Sequence, residues 1–237
     1  MFSHLPVRDR PLAARKAGFK FVESWWPDED AELLRDEIET HSLELILVNA
    51  WCGDIHAGDR GFANDVSRHG DVLASIAEAD ALHPRFINVL VGVGNGRAHV
   101  VDVLKRAAEL PLEAIIVIEH LNTHDVPGFL LPTPQAAAEL VAEVNSPRVR
   151  LLYDAYHAAV EGLDPARDVL DFGGLVGHVH YAETPGRRPP TARLWRFVES
   201  LEKMHFGGWV GLEHLPGTSF SHPPIKPASR PSLPEVA

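Results

Sequence analysis

The chain has 237 residues, with 45% hydrophobic side chains and a net charge of −11, the size and composition of one large α/β domain. So acidic a chain offers no general attraction to nucleic acid or to an anionic membrane. Its single cysteine, Cys52, excludes an internal disulfide and a cysteine-rich zinc site, and reads as a buried thiol.

No apolar stretch reaches the roughly 18 residues needed to span a bilayer. The first residues, Met1-Phe2-Ser3-His4-Leu5-Pro6, lack the basic-then-apolar pattern of a signal peptide. A soluble cytoplasmic protein is the expectation, with a homo-oligomer left open.

In chain order, short and nearly continuous apolar runs alternate with helical patterns. Strands are predicted at Phe21–Trp25, Leu45–Asn49, Phe86–Val91, Ile115–Glu119, Val149–Asp154, Leu175–Ala182 and Trp209–Glu213. Continuous rather than alternating runs fit parallel strands covered on both faces. Helices are predicted at Asp30–Thr40, Gly70–Leu82, Ala98–Leu110, Pro134–Val144 and Thr191–Met204, with another starting at Asp164-Pro165. Their apolar stripes, such as Leu194, Phe197, Val198 and Leu201, face a core. Thr133 before Pro134 is an N-cap followed by proline at the first helical position.

Repeating strand–helix units over this length predict an α/β fold of the TIM (β/α)8 type. Seven strands are counted, and the one expected before the helix ending near Gly18 is absent. A doubly wound sheet would carry a phosphate-binding glycine turn after its first strand. Gly92-Val93-Gly94-Asn95-Gly96 has the wrong spacing and reads as a tight loop on the catalytic face. The barrel domain is expected over residues 1–215. From Pro216 to Ala237 the chain turns proline-rich and is expected to be irregular.

Four of the predicted strands end in a metal-competent side chain: Glu119, Asp154, His180 and Glu213, spaced by 35, 26 and 33 residues. The carboxyl ends of barrel strands are where such folds do chemistry. Three carboxylates and one imidazole favour Mg²⁺ or Mn²⁺, with Co²⁺ also compatible, over structural Zn²⁺.

Polar groups in the following loops are candidates for substrate binding. His157 follows Asp154 by three residues, and Arg187, or else Arg188, could clamp a carboxylate. Asn122 follows Glu119 by three and is expected to orient it; Glu23 is expected to orient loops or contact substrate. His178 shares a strand face with His180 and reads as a supporting residue. There is no G-x-S-x-G elbow, Walker loop or H-E-x-x-H helix.

Several segments together resemble the hydroxypyruvate isomerase family of xylose-isomerase-like barrels. Glu119-His120-Leu121-Asn122 followed by Asp125-Val126-Pro127-Gly128-Phe129 is similar to its E-P-x-N…D-x-P-G-F. Tyr153-Asp154-Ala155-Tyr156-His157 matches Y-D-x-Y-H, and Gly177-His178-Val179-His180-Tyr181-Ala182-Glu183 resembles G-H-x-Q-x-A-D. Gly207–Glu213 resembles G-x-W-V-G-x-E; Ala17–Pro27 and Ala57–Gly61 also fit. The resemblance runs from about Phe2 to Pro216.

It implies a divalent-cation site of Glu119, Asp154, His180 and Glu213, with Glu119 and Glu213 doubling as the acid/base pair. It also implies a small hydroxy-oxo acid as substrate, isomerised through a cis-enediolate. Three positions depart from the family. His180 stands where Gln is common, while related ketose epimerases have His there. His120 replaces a proline, and Pro189-Pro190-Thr191-Ala192 occupies the place of G-x-G-E-I. Met1–Pro6 resembles the segment just after the family's first strand, so either the true start lies upstream or the barrel is open, with two strand edges unpaired. The alternatives are a ketose 3-epimerase or sugar-phosphate isomerase, an endonuclease-IV-like phosphodiesterase, and an inactive barrel scaffold.

Overall fold

A computed structural model describes residues 1–216 and the backbone of Glu235–Val236. Seven strands fall where apolar runs predict them: β1 (Phe21–Ser24), β2 (Glu44–Asn49), β3 (Phe86–Asn88), β4 (Ile115–Glu119), β5 (Val149–Asp154), β6 (Val176–Tyr181) and β7 (Trp209–Leu212). Each pairs in parallel with the next. Glu235–Val236 forms a two-residue β8 alongside β7. No pairing joins β8 to β1 among the described residues, so the barrel is nearly closed and lacks one full strand. The expected irregular tail otherwise lies outside the described residues, and Glu235–Val236 corrects it at that point.

The helices α1 (Arg10–Lys16), α2 (Ala31–Thr40), α3 (His69–Asp80), α4 (Arg97–Ala108), α5 (Pro134–Val144), α6 (Ala155–Val160), α7 (Pro165–Asp168) and α8 (Arg193–Lys203) connect the strands. Thr133 caps α5 as predicted, its hydroxyl accepting from Ala136 N at 3.2 Å. The sequence pattern missed α6, because it follows β5 with no loop between them. Predicted Phe86–Val91 ends early: beyond Asn88 the run stays buried but leaves the ladder, turning into the glycine loop.

Strand residues alternate between two environments. Outward side chains such as Ile87, Ile116, Ile118 and Leu151 join the main core beneath the helices. Inward ones, Leu47, Phe86, Val117 and Leu152, form a second cluster with Ile46, against which Phe21, Ile115 and Trp209 pack. This cluster plugs the lower part of the barrel. Two residues further along the same strands come Asn49, Asn88, Glu119 and Asp154, while Phe21 leads to Glu23 and His178 to His180. A dry plug thus sits directly below a polar ring.

A bulge in β6 aims the two histidines. Leu151 pairs with Val176, but Leu152 pairs with His178 and Asp154 with His180, so Gly177 is skipped. Without that skip the histidines would face the helices.

Phe86 is central to the plug, with ring contacts to His178 at 5.2 Å and Trp209 at 6.3 Å. Phe86→Ala is expected to lower unfolding free energy by about 3–5 kcal/mol, read as a shifted midpoint in urea denaturation. An unchanged midpoint would show that the barrel interior is not the packed plug described.

Candidate active site

The four strand-end residues converge. Glu119, Asp154, His180 and Glu213 each offer a ligand atom, and these atoms all lie within 4.8 Å of one another. His180 Nδ1 is 3.6 Å from Glu119 Oε1 and 3.5 Å from Glu213 Oε2. The Arg187 guanidinium pairs with two of these carboxylates, 2.7 Å from Glu213 Oε2 and 3.7 Å from Asp154 Oδ2.

Local structure explains each placement. Asp154 ends β5 and caps α6: Oδ1 accepts from Tyr156 N at 2.6 Å and from His157 N at 3.1 Å. One oxygen is thereby fixed to backbone, and Oδ2 is left buried with no hydrogen-bond partner. His180 Nδ1 is likewise buried without one. Buried polar atoms are rarely left so; a cation bound among these four side chains would satisfy both, and the mainly carboxylate donor set suits a hard divalent ion.

Burial works against ionisation of Asp154, but His157 and Arg187 outweigh it and hold the carboxyl well below its usual range. His180 moves the other way. Burial opposes its charge, yet the Glu213 and Glu23 carboxylates, with that of Glu119 beside Nδ1, raise it well above the ordinary value. A ring so placed holds a proton or a metal ion.

Both glutamates have one oxygen engaged. Asn88 Nδ2 donates to Glu119 Oε2 at 2.8 Å, and Arg187 Nη1 to Glu213 Oε2 at 2.7 Å. The Glu213 side chain is 29% exposed against 7% for Glu119, so Glu213 faces the cavity more openly. That cavity measures about 540 Å³ and is lined by Glu23, Trp25, Glu119, His157, Arg187 and Glu213 among others.

His157 and Arg187 form a second feature of the site. Asn122 N donates to His157 Nδ1 at 3.1 Å, which leaves the ring proton of a neutral imidazole on Nε2. Nε2 in turn lies 2.7 Å from Arg187 Nη2. Two donors therefore face each other with no acceptor between them, beside the carboxylate cluster. An oxygen-bearing ligand placed there would accept from both. Arg187 packs 4.4 Å over the Tyr156 ring, and its backbone sits at φ +49°, a region non-glycine residues rarely adopt.

Some expectations need correction. Asn122 does not orient Glu119; its side chain bonds Asp125 at 3.0 Å and meets His157 at 2.5 Å. Asn88 takes that place, a residue the sequence reading missed although it lies two positions after Phe86 on the inward face. Arg188 turns away, its guanidinium on the Thr184 carbonyl. His120, at the proline position, is fully buried and accepts from Asp154 N at 3.2 Å; burial lowers its pKa to about 3, so it stays neutral. Glu23 lines the cavity and also reaches His178 and His180. Cys52 is buried as expected, its thiol pushed up to about 11 by burial.

Comparison with known proteins agrees with this geometry. Residues 11–230 match the family described as xylose isomerase-like TIM barrel. The hydroxypyruvate isomerase of Escherichia coli K12 is 30% identical over 223 residues, covering 87% of this chain and 86% of its own. The 2-oxo-tetronate isomerase of Cupriavidus necator is 28% identical, covering 96% and 95%. A crystal structure described as AP endonuclease, family 2, from Brucella melitensis superposes with a TM-score of 0.82 at 29% identity, over 90% of this chain and 89% of that one. The chain belongs to the xylose isomerase-like TIM barrel family. Within it, the chain stands with the hydroxypyruvate isomerase group and is an isomerase.

Proposed function

We propose that the protein is a divalent-cation-dependent aldose–ketose isomerase of a small hydroxy-oxo acid of the hydroxypyruvate type. The observation that carries the reading is the convergence of Glu119, Asp154, His180 and Glu213, with Asp154 Oδ2 and His180 Nδ1 buried and unpartnered. Those four side chains would hold Mg²⁺ or Mn²⁺. Bound there, the ion supplies positive charge that draws the adjacent carbonyl and hydroxyl oxygens of the substrate together and stabilises negative charge on them.

The protein's own groups move the protons. One glutamate of the pair Glu119/Glu213 removes a proton from the hydroxymethyl carbon, giving a cis-enediolate. That glutamate or its partner returns a proton to the neighbouring carbon, while the hydroxyl proton passes between the two oxygens. Carbonyl and hydroxyl exchange places with no net gain or loss of atoms or electrons. The facing donors His157 Nε2 and Arg187 Nη2 bind a substrate oxygen, and Arg187 is placed to take the carboxylate.

The test is direct. The protein is stripped with chelator, reloaded with Mn²⁺ or Mg²⁺, and incubated with hydroxypyruvate and separately with 2-oxo-tetronate, with products followed by NMR. Conversion of hydroxypyruvate to the isomeric aldehyde acid, or of 2-oxo-tetronate to the isomeric 3-oxo acid, is expected in the loaded protein and is expected to vanish on stripping. No conversion of either acid with either ion would overturn the reading.

A further inference from the structure

His180 meets carboxylates at both ring nitrogens. Nδ1 faces Glu119 and Glu213 in the proposed cation site, at 3.6 and 3.5 Å. Nε2 lies 3.0 Å from Glu23 Oε2 on the opposite side. The other oxygen of Glu23 contacts His178 Nε2 at 2.6 Å. One carboxylate therefore spans two rings that stand edge to face, 5.2 Å apart.

We propose that Glu23 is a positioning residue of the cation site: it holds the His180 ring by Nε2 and so presents Nδ1, lone pair free, to the space between Glu119, Asp154 and Glu213. The proposal rests on the reading of that space as a cation site.

Three observations carry it. First, the position of the ring proton follows from proximity. The contact at 3.0 Å is bent away from a straight hydrogen bond, but a bare nitrogen lone pair that close to an anionic oxygen would be repelled. Nε2 therefore carries the hydrogen, and Nδ1 is the atom left to bind. Second, both oxygens of Glu23 are engaged by ring nitrogens, and its side chain is only 14% exposed. Both oxygens are thus turned toward the rings. Third, the fold makes room for the reach. Glu23 on β1 must pass the position of β7 to touch β6, and there β7 carries Gly211, the Cα partner of His180. A Cβ at residue 211 would lie 2.5 Å from both oxygens of Glu23.

Glu23, His178 and His180 could themselves be taken for a second cation site, since their ligand atoms also lie within 4.8 Å. The geometry argues against it. The carboxylate already faces a ring nitrogen from each oxygen, and a cation there would displace both ring protons and compete for His180 with the first site.

Two variants test the proposal. Glu23→Gln keeps size but offers one acceptor and one donor to two N–H groups, so one ring must change its proton. Gly211→Ala keeps the charge and forces the carboxylate aside. Mn²⁺ affinity by titration calorimetry is expected to fall by about 10- to 100-fold in each. In ¹⁵N-histidine NMR of the Mg²⁺-loaded wild type, His180 is expected to carry its proton on Nε2, and in Glu23→Gln that signal is expected to move toward a mixture of ring forms.

Wild-type affinity in both variants, with the His180 signal unmoved, would overturn the role of Glu23 while leaving the cation site intact. Absence of Mn²⁺ binding to the wild type would remove the cation site itself, and this proposal with it. Should the variants not fold, the wild-type spectrum alone decides: Nδ1-protonated His180 in the loaded protein overturns the proposal.

Discussion

Glu119→Gln is expected to slow deuterium incorporation into hydroxypyruvate in D₂O by about 100- to 10,000-fold, and Glu213→Gln is expected to do the same or to leave exchange while blocking conversion. Glutamine keeps the length of the side chain and one ligand oxygen but takes up no proton. The site offers only these two carboxylates as bases. Asp154 is tied by its cap and held ionised, and Glu23 is engaged by two histidines. Burial works to raise Glu23, yet His178 and His180 hold it well below the usual carboxylate range, which makes it a poor base.

The two variants also separate single-base from two-base chemistry. If one glutamate removes and returns the same proton, its replacement stops both exchange and conversion. If the two divide the work, the acceptor's variant stops exchange, and the partner's variant still exchanges solvent deuterium without forming product. Undiminished exchange and conversion in both variants would remove the acid/base assignment.

How much of this was legible depends on the type of signal. Strand ends with a metal-competent side chain are visible because continuous apolar runs mark buried parallel strands and the chemistry begins where the run stops. Glu119, Asp154, His180 and Glu213 were found that way. Asn88 was not, because the apolar run carries on beyond it through Val89, Leu90 and Val91, which stay buried after the ladder ends. The inward step from Phe86 to Asn88 was its only signal.

Asn122 and Glu23 show a different limit. Closeness in sequence suggested that Asn122 serves Glu119, but the loop turns it toward His157 on the next unit, a contact set by packing between loops. Glu23 meets His178, 155 positions away in the chain. No local pattern encodes that meeting; the bulge at Gly177 and the gap at Gly211 create it. The lack of a strand before α1 among the described residues, by contrast, is readable by counting, since each βα unit is a separate element and the lack of one strand leaves the following units in place.

Asp154→Ala is expected to cost about 3–5 kcal/mol of unfolding free energy and to abolish saturable Mn²⁺ binding, because it removes three functions at once. The carboxylate is fully buried and lies 3.7 Å from both Arg187 Nη2 and His157 Nε2. Its loss leaves that guanidinium without one of its two carboxylates and α6 without its cap, a term worth about 0.5–2 kcal/mol by itself. These contributions share a side chain and do not simply add.

Asp154→Asn separates them. Asparagine caps helices as well as aspartate, so α6 survives, while the charge facing Arg187 and the cation is gone. The expected order of stability in urea is wild type, then Asn, then Ala, with cation binding lost in both variants.

Acid gives an independent check. The Asp154 carboxyl is depressed in the folded protein relative to its ordinary 3.8. Its contribution is therefore fully present above that value and is lost as pH falls through the lower, folded-state value. Wild type should show this loss on acidification, and Asp154→Asn should show less of it. Equal acid sensitivity of the two proteins would mean that Asp154 is not the buried, ionised anchor that joins α6, Arg187 and the cation site.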